Sequence, residues 1–140
     1  MKAKERIQQS KNLWIEEFIE GREIDAIVVE NVDSPNDPLV INPVELLFEP
    51  GESFMHKEMK KSIGKSIKVK NLEEPELLEK INKICKASFK SCMGVGYASV
   101  VCRIDSKGNV YVVDINANPK IFHEKGEFEP IDFCFMSKGI

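Results

Sequence analysis

Apolar residues in this chain recur at two spacings, and each predicts a different element. Period-two or continuous apolar runs predict strands at residues 13–19, 23–29, 44–48, 97–104 and 110–115, with a brief one at 67–69. A three-and-four spacing appears once, in Leu77, Leu78, Ile81, Ile84, Cys85, Ser88 and Cys92. That spacing predicts a helix over 75–93 with one apolar face. Pro75 suits its first turn, Glu73, Glu74 and Glu76 complement its dipole, and Gly94 offers a left-handed stop.

Turn residues punctuate the rest. Gly21 sits in a bend, 31–38 carries Asn, Asp, Ser and two prolines, and Asp105 to Asn109 joins two strands as a hairpin. Residues 49–66 read as a long loop, the first dozen residues as helix-compatible, and the tail from Phe122 as aperiodic. Together these elements predict one α+β domain, an antiparallel sheet with one long packing helix. Leu77, Ile81, Ile84 and Phe89 are expected in the core, with Val100, Ile104, Val113 and Ile115 beneath them.

Composition narrows the classes. The 140 residues carry a formal net charge of −3, which gives no reason to expect a nucleic-acid partner. No apolar run is long enough to cross a membrane, and the N-terminus lacks the apolar core of a secretory signal. Cys85, Cys92, Cys102 and Cys134 make neither a CxxC pair nor a zinc spacing. Buried, reduced thiols in a cytoplasmic protein are the expectation, with Cys85 and Cys92 both facing the core. His56 and His123 are expected without catalytic or metal partners.

Three segments carry candidate chemistry. Asp114-Ile115-Asn116-Ala117-Asn118-Pro119 ends a strand, so Asp114 and Asn116 share a face opposite Ile115. A carboxylate and an amide oxygen there suit magnesium, which takes one or two carboxylates plus nucleotide phosphates. A polar strand end closed by an Asn-Pro turn is the plainer alternative. Glu16-Glu17-Phe18-Ile19 offers backbone groups to an adenine edge, and Glu23 an acid for ribose hydroxyls, although two strands joined by an acidic turn are common. Lys60 lies where it would reach phosphate, yet Lys57, Lys61 and Lys65 fit a solvated basic loop equally.

The order of these segments is more specific than any one of them. EEFIEGRE at 16–23, the lysine loop, the helix, GYASVVCRID at 96–105 and GNVYVVDINANP at 108–119 resemble the ATP-grasp superfamily, D-alanine–D-alanine ligase type. The likeness implies that the chain is the C-terminal part of an ATP-grasp domain, with 1–12 a remnant of the preceding subdomain. It implies ATP and magnesium as cofactors and carboxylate–amine ligation as the chemistry. It implies nucleotide contacts from Glu16, Glu17, Phe18, Ile19, Glu23 and Lys60, and metal ligation by Asp114 and Asn116. A small carboxylate or amino acid is the implied substrate. The N-terminal ATP-grasp half is expected elsewhere in the parent chain or on a partner.

The departures are equally specific. Ser99 stands where the family has an arginine that stabilises the transferring phosphoryl, and Val101 where it has a magnesium-binding aspartate. Both lie on one strand face, and no residue is assigned a catalytic role. Either the chain is part of a ligase, or it is a non-catalytic nucleotide- or partner-binding module within a larger protein.

Overall fold

The structure, a computed structural model, describes residues 15–56, 59, 67–124 and 129–136. The expected helix over 1–12 and the strand start at Leu13 and Trp14 lie outside them. Five strands, β1 (Arg22–Val29), β2 (Leu39–Phe48), β3 (Ile67–Asn71), β4 (Tyr97–Ile104) and β5 (Val110–Asn116), form one sheet. Its order is β3-β2-β1-β4-β5, and every pair is antiparallel. Helix α1 (Pro75–Ser91) covers one face, as the helical spacing predicts.

Alternation along the strands builds that face. Ile24, Ala26 and Val28 of β1 and Ala98, Val100, Cys102 and Ile104 of β4 meet Ile81, Cys85 and Phe89 of α1. Leu77 and Ile84 are only partly buried, because they flank the stripe rather than centre on it. Cys92 is exposed, contrary to the expected core position. The helix ends at Ser91, so Cys92 has left the periodic face. The left-handed residue at this end is Met93, with φ 52°, rather than Gly94. Met93 N–H donates to Lys90 O and Gly94 N–H to Phe89 O, which closes the last turn. Gly94 is needed for space instead, since a Cβ there would lie 2.5 Å from the Phe89 ring.

Three strand expectations change. Residues 15–20 join no ladder, so the strand expected over 13–19 is an extended segment, held by side-chain bonds described below. β2 begins at Leu39, five residues earlier than expected, because an irregularity against Asp25–Ile27 absorbs Asn42 and Pro43. In β5 the register shifts between Val101 and Cys102 of its partner, leaving Val113 unpaired and 41% exposed rather than in the core. That bulge reverses the alternation. Val110, Val112 and Ile115 all pack toward α1, while Asp114 and Asn116 turn to the opposite face.

The opposite face is not bare. A second helix, α2 (Pro130–Met136), follows the tail that has no clean period in sequence. Ile131, Cys134 and Phe135 pack there on Ile27 of β1 and Val44 of β2. Asp132 accepts hydrogen bonds from the amides of Phe122, His123 and Glu129 and pairs with His123 Nδ1 at 2.8 Å. His123 therefore has a buried structural partner, and the pair fastens the approach to α2. Leu46, Met59 and Ile67 form a further cluster over β2 and β3. What remains open is the β1–β4–β5 part of this face.

Candidate functional site

The open area is a polar surface set into an apolar sheet. Across β1, β4 and β5 the registers align Glu23 with Arg103, Asp25 with Val101 and Asp114, and Ser99 with Asn116. Side chains on one face of neighbouring strands lie within contact reach, so these residues share one surface. Two depressions open on it. A groove of about 360 Å³ is lined by Glu16, Glu17, Phe18, Ile19, Glu23 and Phe54 on one side and Val101, Arg103, Val113 and Asp114 on the other. A smaller cavity of about 110 Å³ adjoins it, bordered by Asp25, Ser99, Asp114, Asn116, Lys120 and Glu129 among others.

Most of the sequence-predicted residues are thereby gathered. Glu16, Glu17, Phe18, Ile19, Glu23 and Asp114 meet in the groove, and Asp114 and Asn116 share the smaller cavity. Lys60 lies outside the described residues. Asn116 Oδ1 also accepts the amide of Asn118 at 2.9 Å, an Asx turn that orients the amide. Among the described residues, no three His, Cys, Asp or Glu side chains gather as a metal cage. Asp114 and Asn116 form an open pair of oxygen donors, which fits a magnesium ion completed by phosphate oxygens and water.

The organiser of the groove is Arg103, which no spacing in the sequence singles out. Its Nη1 pairs with Glu23 Oε2 at 2.7 Å and reaches Ser53 O at 3.0 Å. Its Nε donates to Ile19 O and its Nη2 to Gly21 O. The guanidinium also lies 4.7 Å from the Phe18 ring centroid, a cation–π contact. Phe18 in turn meets Phe54 edge-on at 5.7 Å. One buried cation thus ties the 18–21 segment and the 53–55 loop to the sheet. Those bonds replace the missing strand ladder at 15–20.

Burial pushes the Glu23 carboxyl above the ordinary glutamate value, while the Arg103 charge and the Met55 amide hold part of that rise back. Gly21 allows the chain to turn here. Its φ is +140°, and a Cβ would fall 1.8 Å from Ile104 O. The only sequence sign of Arg103 is its place in alternation with Ser99 and Val101. Its acidic partner is 80 residues away, so no local pattern reveals the pair.

A five-stranded antiparallel sheet with a long helix on one face and a polar cleft on the other is the C-terminal subdomain of an ATP-grasp fold. Solved structures share it. D-alanine–D-alanine ligase from Bacillus anthracis superimposes with a TM-score of 0.58 at 20% identity, over 89% of this chain and 37% of that one. The same enzyme complexed with ATP gives 0.51 at 21% identity, over 71% and 28%. D-alanyl-alanine synthetase A from Vibrio cholerae gives 0.54 at 16% identity, over 71% and 30%. The family model described as D-ala D-ala ligase C-terminus matches residues 2–123, and the chain belongs to that family. No curated protein sequence matches it. The chain spans about a third of the length of these solved structures.

Proposed function

We propose that this chain forms one wall of an ATP- and magnesium-binding cleft for carboxylate–amine ligation. The observation that carries the reading is the groove itself, in which the 16–23 stretch, through residues 16–19 and Glu23, meets the distant Asp114. In this reading the 16–19 backbone meets the adenine edge and Phe18 covers a ring. Glu23 is the acid proposed to face the ribose hydroxyls. Lys60 approaches phosphate. Magnesium held by Asp114 and Asn116 would neutralise charge on the transferring phosphoryl. A small carboxylate or amino acid is the proposed substrate, and the facing wall comes from an N-terminal ATP-grasp half in the same parent chain or a partner.

A second reading has a specific observation behind it. Ser99 and Val101 lie on the cleft face, where resemblance places an arginine and an aspartate. Valine cannot ligate a metal, and serine carries no charge to a phosphoryl group. Arg103 does not substitute, because its donors are committed to Glu23, Ile19, Ser53 and Gly21. A non-catalytic nucleotide- or partner-binding module fits these residues, and this chain alone is expected to turn over no ATP.

Calorimetry with ATP, with and without magnesium, is the test. Expected is weak binding, with a magnesium dependence that Asp114→Ala and Asn116→Ala remove. Binding by both variants with unchanged magnesium dependence overturns the metal assignment. ADP release with D-alanine that vanishes in Asp114→Ala overturns the non-catalytic reading of this chain.

A further inference from the structure

The acid proposed for the ribose is covered in this structure. Glu23 is 5% exposed, and two groups hold its carboxylate. Arg103 Nη1 pairs with Oε2 at 2.7 Å, and the Met55 amide donates a further hydrogen bond. A ribose hydroxyl that approaches Glu23 therefore meets a carboxylate already engaged and withdrawn from solvent. Met55 and Glu23 border both the groove and the smaller cavity, so their bond spans the cleft where the two depressions adjoin.

The residues around Met55 form a strap over 52–56. Ser53 O accepts from Arg103 Nη1 at 3.0 Å. The Phe54 ring meets Phe18 at 5.7 Å and His56 at 5.8 Å, both edge-on. His56 Nε2 lies 3.2 Å from Glu52, and the Met55 side chain packs on Leu46, Met59 and Ile67. The strap nonetheless belongs to no helix or strand, and Glu52, Ser53 and Phe54 are exposed. A segment held by a few local contacts opens far more readily than a sheet ladder. The two bonds on Glu23 therefore differ. Its ion pair with Arg103 is buried on both sides and costly to break. The Met55 bond comes from the strap, and a ribose hydroxyl offers the same donor chemistry.

We propose that the 52–56 strap is an autoinhibitory contact, in which the Met55 amide competes with the ribose hydroxyls for Glu23. Nucleotide binding displaces that amide and leaves the Arg103–Glu23 pair intact. The inference rests on the nucleotide reading and adds a regulation of the same site. With the strap closed, the apparent affinity falls below the intrinsic one by the fraction of molecules in the open form.

The test compares ATP with 2′,3′-dideoxy-ATP, which keeps the base and phosphates and lacks both ribose hydroxyls, by NMR titration of the full chain with magnesium. The parent chain is expected to prefer ATP by only about twofold, because the strap offsets the gain at Glu23. Met55→Pro removes the competing N–H and is expected to raise that preference to at least about tenfold. Met55→Leu keeps the N–H and should retain the parental preference. In the parent, ATP should speed hydrogen exchange at the Met55 amide, and the dideoxy nucleotide should not. Without nucleotide that amide should be protected, and Glu23→Gln should speed its exchange about fivefold by weakening the acceptor. An unchanged ATP preference in Met55→Pro, or a Met55 amide unprotected in the free chain, overturns the proposal. A protected Met55 amide with neither nucleotide bound by the parent or by Met55→Pro overturns the nucleotide reading instead.

Discussion

The two faces of the sheet are made by the same strands and obey opposite rules. On the α1 face, Ile24, Ala26, Val28, Val100 and Cys102 are fully buried and pack against the helix. One residue along in each direction, Glu23, Asp25, Ser99, Arg103 and Asp114 face a partly open cleft. The first face is held by many small, interchangeable contacts. The second depends on few bonds, and Arg103 makes most of those in the groove. A sheet whose alternate residues divide this way separates the work of folding from the work of binding. The difference also predicts how each face fails.

The largest effect is expected at Arg103. Arg103→Ala leaves Glu23 buried without its cation and releases the 18–21 and 53–55 segments, so the loss should be about 4 kcal/mol. Urea unfolding measures it. Arg103→Lys keeps the charge but cannot span four acceptors, and should recover only part of the stability. A loss near zero for Arg103→Ala would mean that the groove is assembled by something other than this residue.

Ile81→Ala comes next, at about 3 kcal/mol, through a cavity in the fully buried centre of the α1 face. The same change at the partly buried Ile84 should cost less, below about 2 kcal/mol. Equal losses in matched thermal melts would contradict the observed orientation of the helix.

The smallest effect concerns the edge of the comparison, where Arg22 bonds Glu45 across β1 and β2 and also reaches Glu74. The Arg22 hydrogen bond holds the Glu45 carboxyl below its ordinary value despite opposing burial. A lowered folded value means stability that is present above the unfolded pKa and is lost as pH falls through the folded one. Acid unfolding of the parent chain should therefore steepen below about pH 4.5. Glu45→Gln should flatten that limb, while costing about 1 kcal/mol or less at neutral pH. An identical acid limb in the variant would assign the acid sensitivity to other carboxylates.

Much of this organisation is legible in the residues themselves. The three-and-four spacing of Leu77, Ile81 and Cys85 places α1, because that period leaves only a helix able to bury one stripe. Alternation in β1 and β4 fixes which residues oppose α1, and Asp105 to Asn109 marks the hairpin. The ordered motifs also carry the family, which the match over 2–123 bears out. Asp114 and Asn116 share a face with each other and not with Ile115, as period two requires.

Tertiary structure alone decided the rest, and the reason is range. The bulge at Val113 arises from pairing with β4, so local alternation misplaces that residue. Residues 15–20 have strand-like composition, yet their backbone is claimed by an arginine more than eighty residues away. α2 is too short to show a period, and its place comes from Ile27, Val44 and the Asp132–His123 pair. The acidic cavity exists only because β1, β4, β5 and α2 bring Asp25, Ser99, Asp114 and Glu129 together. Periodicity records which side of an element turns inward. It carries no information about which distant side chain will be met there.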